Sequence, residues 1–171
     1  MTASSIRTRL RMCLAEGIGL MRTIRGDLLQ LALDGAFDAI VHGCNCQCVM
    51  GKGIALSIKQ RFPAAYVADL ATAKGDRSKL GTITLAEIER GGRSFHVVNG
   101  YTQFHWQGQG AKADYQAIRN VMKAVRARFS GQRIGYPRIG AGLAGGDWTI
   151  IASIIDEELA GENHTLVEYA P

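Results

Sequence analysis

Residues 41–56, VHGCNCQCVMGKGIAL, gather His42, Asn45, three cysteines and Lys52 around Gly51 and Gly53. The stretch opens as an apolar run and closes on a helical pattern at Ile54. A strand that turns through glycines into a helix aims backbone N–H groups at whatever lies beyond its end, which is the chemistry of an anion site. A second such turn, RIGAGLAGG at 138–146, follows another short strand pattern and leads to Asp147, placed as a helix N-cap. Two phosphate-directed loops suggest a diphosphate. Neither GxGxxG in its proper place nor GxxxxGK[ST] occurs, so a dinucleotide dehydrogenase and a P-loop NTPase are unsupported.

Several of these side chains have plain structural readings as well. Cys44, Cys46 and Cys48 alternate with His42, but zinc ribbons use Cys-x2-Cys turns, so buried thiols beneath the loop are expected and no metal is. His42 is either a general base or nucleophile, or a buried strand histidine satisfied by a carbonyl. Asp147 either protonates a leaving group or only caps its helix. The Phe104-His105-Trp106 cluster either lines the site or anchors a loop.

The elements that must position these residues can be read in order. The 171 residues suit one domain, and 47% hydrophobic with 20% charged residues is a globular balance. A net charge of +5 favours a phosphorylated ligand but is a weak nucleic-acid signal. No apolar run is long enough to span a bilayer, and the cysteines form no disulfide frame, so a cytoplasmic protein with no membrane partner is expected. Residues 1–20 are basic and read as an N-terminal extension, disordered or the product of an upstream start codon; the domain is 21–171.

From Met21 the pattern gives a strand, Gly26-Asp27, and a helix LLQLAL ended by Asp34-Gly35. Residues 37–43 read as a buried strand, 53–62 as a helix, and Pro63 opens a second helix through 75. Strands over 81–88 and 94–100 pair as an antiparallel hairpin. A helix over 113–129 carries Ile118, Val121, Met122, Val125 and Phe129 on one stripe. A strand at 133–137, a helix at 148–159 and a strand at 164–169 close the chain. The alternation predicts an α/β fold, a three-layer α/β/α sandwich on a mixed, mainly parallel sheet of about six strands.

In order and spacing, Gly26-Asp27-Leu28, residues 45–55, the loop 137–143 and Tyr169 resemble a macro domain, the ADP-ribose-binding module. The resemblance covers 21–171 and is closest to the branch holding ADP-ribose 1''-phosphate phosphatases and ADP-ribosylglutamate hydrolases. It implies that Asp27, with Leu28 beside it, receives the adenine amino group, and that Asn45 meets the distal ribose. Gly51, Lys52, Gly53 and Ile54 would wrap that ribose and its phosphate. Gly140, Ala141, Gly142 and Leu143 would hold the diphosphate, and Tyr169, at the end of the last strand, would also bind the ligand. No cofactor is implied, a monomer is expected, and ADP-ribosylated macromolecules are the alternative to a free small molecule.

The catalytic lysine of the hydrolase branch falls on Gln103, and its acidic partner on Ala144. Glutamine cannot form a Schiff base and alanine cannot transfer a proton. The resemblance therefore points to the phosphatase branch, with His42 as base or nucleophile, Asn45 orienting the ribose and Asp147 as acid; the alternatives are a hydrolase that removes ADP-ribose or an acyl group from a modified macromolecule or metabolite, and a non-catalytic ADP-ribose reader.

Overall fold

The computed structural model describes residues 20–171. The extension expected over 1–20 therefore lies outside the described residues except for Leu20. Six strands and five α-helices follow one another as β1 (Arg22–Gly26), α1 (Leu28–Leu33), β2 (Ala39–Asn45), α2 (Gly53–Arg61), α3 (Pro63–Leu70), β3 (Ile83–Arg90), β4 (Arg93–Gln103), α4 (Tyr115–Phe129), β5 (Ile134–Tyr136), α5 (Trp148–Glu158) and β6 (His164–Tyr169). The sheet order is β1-β6-β5-β2-β4-β3, parallel except for β3 on β4.

Neighbouring residues on the central strands enter opposite cores, as the two-residue period of a strand requires. Val41, Val98 and Leu166 pack under α4 and α5, whereas Ile40, Val97 and Val167 pack under α1, α2 and α3. Both faces are covered, which is why β2 reads as a continuous apolar run. The result is the three-layer α/β/α sandwich. Close packing also explains Gly135 on β5, where an added Cβ would sit 2.8 Å from the Phe37 ring.

Two elements differ from the expected boundaries. The second of the paired helices, α3, stops at Leu70. A single 3-10 turn follows at Arg77–Lys79, and its N-cap Asp76 accepts from Ser78 N. β4 continues past residue 100 to Gln103, because Tyr101 is buried and its hydroxyl donates to Asp69 Oδ1 at 2.8 Å. Beyond Tyr101, Cys46 N donates to both Gln103 O and Phe104 O at 3.1 Å. That extension sets Gln103 opposite Asn45, across a register shift between Cys44 and Asn45.

Candidate functional site

β2 and β5 are neighbours, so the two glycine loops leave the same end of the sheet side by side. Between them lies a cleft of two adjoining chambers. The proximal one, about 720 Å³, lies between α1, the outward side of α2 and the end of β6, with Asp27, Arg61, Glu168 and Tyr169 on its walls. The distal one, about 470 Å³, is walled by Gly43, Cys44, Asn45, Lys52, Thr102, Gln103, Trp106 and the second loop. Gly53, Ile54, Pro137 and Arg138 line both.

Asp27 is the N-cap of α1, its Oδ1 accepting from Leu29 N at 2.8 Å and Gln30 N at 3.2 Å. Leu28 is buried behind it, and Tyr169 stands 75% exposed at the end of β6. Asp27, Leu28 and Tyr169, with Gly26, line one chamber.

The first loop is organised by Asn45. Its Oδ1 accepts from Gln47 N at 2.9 Å and Val49 N at 3.4 Å, and its Nδ2 donates to Val49 O at 2.8 Å. One amide N–H remains for a ligand hydroxyl. The loop ends at Gly53, whose φ of +58° favours glycine. Asp27, Asp114 and Asp147 each cap their helices, but α2 begins at Lys52 with no side-chain cap bond. Its first intrahelical bond is Leu56 N to Lys52 O, so the amides of Gly53, Ile54 and Ala55 open on the cleft.

The second loop is tied to itself by Gly146 N donating to Gly140 O at 2.7 Å and Gly145 N to Gly142 O at 3.0 Å. The N–H groups of Gly142 and Leu143 donate to no backbone carbonyl among the described residues. Leu143 is 77% exposed and reaches over the cleft, its Cδ1 3.5 Å from where a Cβ on Gly53 would stand. The two loops thus approach each other above the junction of the chambers, with Gly140 and Gly142 on the distal wall and Ala141 half-buried behind them.

Two of the residues expected to act in catalysis are placed elsewhere. His42 is 1% exposed on the face of β2 covered by α2 and α3, and it does not line the cleft. Its Nε2 lies 2.7 Å from Asn99 Oδ1, while Asn99 Nδ2 donates to Ala65 O and Thr84 Oγ1. That network makes Nε2 the protonated nitrogen, and burial pushes the imidazole pKa down to about 4 against the pull of the Asn99 bond. An imidazole so enclosed is a structural donor, and the general-base reading is corrected accordingly. Asp147 likewise lies outside both chambers, at the start of α5, where its Oδ1 caps Thr149 N at 2.8 Å and its own N–H donates to the Tyr115 hydroxyl.

Cys44, Cys46 and Cys48 are buried free thiols. Burial pushes the Cys44 thiol well above its ordinary range and raises Cys46 as well, which keeps both as packing groups. Phe104 packs with that thiol cluster, whereas His105 and Trp106 stack at 4.4 Å and Trp106 reaches the distal chamber.

Arg61, Arg138 and Glu168 line the site without having been read from the sequence. Arg61 lies seven residues after Ile54, on the helix face that Ile54 and Ser57 share, so helical spacing carries its signal. Arg138 is paired with Glu168 Oε1 at 2.6 Å, whereas Lys52 pairs with no carboxylate among the described residues.

The chain is similar to several known proteins. The family model described as "Macro domain" matches residues 41–155. An uncharacterised 17.5 kDa protein of Enterobacteria phage T4 is 33% identical over 157 residues, covering 89% of this chain and 98% of the phage protein. The DNA ADP-ribosyl glycohydrolase of Thermus aquaticus is 28% identical over 143 residues, 82% of this chain but 38% of that protein. The chain thus spans little more than a third of the glycohydrolase. The ADP-ribose 1''-phosphate phosphatase of Aspergillus oryzae is 50% identical, over only 48 residues, 28% of this chain and 22% of that one. Among solved structures, the macrodomain of Thermus aquaticus DarG superposes with a TM-score of 0.68 at 28% identity, covering 90% of this chain and 99% of the other. The chain belongs to the macro domain family.

Proposed function

We propose that the double cleft binds ADP-ribose and that the distal chamber hydrolyses ADP-ribose 1''-phosphate to ADP-ribose and orthophosphate. Adenosine takes the proximal chamber beside Asp27, the diphosphate lies across the uncapped start of α2 and the amides of the second loop, and the distal ribose enters beside Asn45. The observation that carries the choice of chemistry is the charge of the distal wall. Its cationic side chains are Lys52 and Arg138, and among the described residues no carboxylate or imidazole lines it. Attack at the anomeric carbon calls for a nucleophile or proton donor that Gln103 and Ala144 do not supply. Phosphoryl transfer asks mainly for positioning and charge stabilisation. Water would attack phosphorus, the bond from phosphorus to O1'' would break, a proton of that water would pass to the departing O1'' to leave the free hydroxyl, and Lys52 with the loop amides would balance the charge gathering on the oxygens.

The likeness to the glycohydrolase along 82% of this chain, against 28% for the phosphatase, favours a second reading, release of ADP-ribose from a modified macromolecule. One assay separates the two. Wild-type protein is incubated with ADP-ribose 1''-phosphate and, separately, with ADP-ribosylated DNA or protein, and phosphate and free ADP-ribose are followed. The phosphatase reading predicts phosphate release that Lys52→Ala slows about a hundredfold in kcat with a small change in KM. Release of ADP-ribose from the macromolecule, with no phosphate freed from the ester, would replace it with the second.

A further inference from the structure

The carboxylate of Asp27 does more than a helix cap requires. Oδ1 alone accepts both α1 amides, and Oδ2 is turned into the proximal chamber, where Arg61 Nη1 meets it at 3.0 Å. Arg61 reaches there from the last turn of α2 and is held along its length. Nη2 donates to Gln30 Oε1 at 3.1 Å, and the Arg61 carbonyl accepts from Arg90 Nη2 at 2.7 Å. Both side chains stay about a third exposed, at 32% and 38%. The chamber wall therefore presents, side by side, a carboxylate oxygen with a lone pair to spare and a planar guanidinium with N–H groups to spare.

That pattern is the complement of one purine edge. Adenine shows an exocyclic N–H donor next to a ring-nitrogen acceptor, whereas the keto purines, guanine and hypoxanthine, put a carbonyl acceptor where adenine has its amino group. Resting on the ADP-ribose reading above, we propose that Arg61 is a specificity residue acting with Asp27. Oδ2 takes the exocyclic N–H, a guanidinium N–H donates to the adjacent ring nitrogen, and a keto base brings its carbonyl against the carboxylate and is rejected. A surface ion pair with no such role would be worth little and would leave ligand preference untouched.

The test is calorimetric titration of ADP-ribose and inosine diphosphate ribose into the wild type, Arg61→Met and Arg61→Lys, with thermal midpoints recorded for each protein. The wild type is expected to favour ADP-ribose by about tenfold or more. Arg61→Met should lose about tenfold in ADP-ribose affinity with inosine diphosphate ribose unchanged, so that the preference shrinks by that factor to what Asp27 alone confers, at an unaltered midpoint. Arg61→Lys keeps the charge without the planar fork and should recover only part of the preference. Wild-type preference persisting in Arg61→Met, or equal weakening of both ligands, overturns the role in base selection; wild-type binding of ADP-ribose with no preference does the same. A wild type that binds neither ligand instead overturns the ADP-ribose reading itself.

Discussion

Between pH 7 and pH 4 the folded protein is expected to lose about 3 kcal/mol of stability through His42 alone. The sign follows from where the proton binds. In the unfolded chain an imidazole titrates near its ordinary 6.5, whereas burial holds His42 down to about 4 in the fold. The unfolded state therefore takes the proton first. The contribution is complete above about 6.5 and is lost as the pH falls through that value toward 4. His164 adds to the loss, because burial lowers its pKa too, against the raising influence of Asp156 and Glu162. Asp38, Glu157 and Glu162 are held below their ordinary range by Arg133, Arg119 and the Gly131 amide respectively, so their stabilisation is present above the ordinary carboxylate range and is lost only as the pH falls below it. Urea melts at pH 7, 6, 5 and 4.5 should give steadily lower stabilities, and His42→Asn, which keeps a donor for Asn99 but cannot titrate, should flatten the slope. A stability independent of pH over that interval would mean His42 is not enclosed as described.

Gly146→Ala is expected to cost about 1–3 kcal/mol and to reduce ADP-ribose affinity about a hundredfold. A Cβ there would sit 2.7 Å from Gly140 O and 2.9 Å from both Ala113 Cβ and Ile151 Cδ1. The first of these is backbone and closes the loop through its bond to Gly146 N, so the loop itself must move. Gly142→Ala is the informative companion, since apart from its own chain neighbours no atom of the described residues lies within 4 Å of the added carbon. Its fold and thermal midpoint should match the wild type, and a fall in affinity of about tenfold would come from the ligand's own approach to the loop. Equal binding by Gly142→Ala and wild type would place the diphosphate elsewhere.

The frame of this site was legible wherever the signal was local. The apolar run of β2, the stripe on α4, the cap at Asp27 and the two glycine loops each announce themselves within a dozen residues. What stayed hidden depends on distant partners. Tyr101, Thr102 and Gln103 read as irregular because the hydroxyl bond to Asp69 and the pairing with β2 that make them strand come from 30 to nearly 60 residues away. For His42, alternation gives the face it shares with Ile40, but not that α2 and α3 cover that face at His42 while the cleft opens further along the strand, at Gly43, Cys44 and Asn45. Asp147 was legible as a cap, but not that its helix start lies outside both chambers. Arg61 reads as a solvated helix charge until the end of α2 is brought against the start of α1.

Calorimetric titration of ADP-ribose into the wild-type protein tests the central claim most directly. The cleft formed by Asp27, the amides of α2 and the second glycine loop predicts one-to-one binding at micromolar ligand, weakened by Gly146→Ala. A folded protein that gives no binding heat and no protection against thermal unfolding at millimolar ADP-ribose would contradict it.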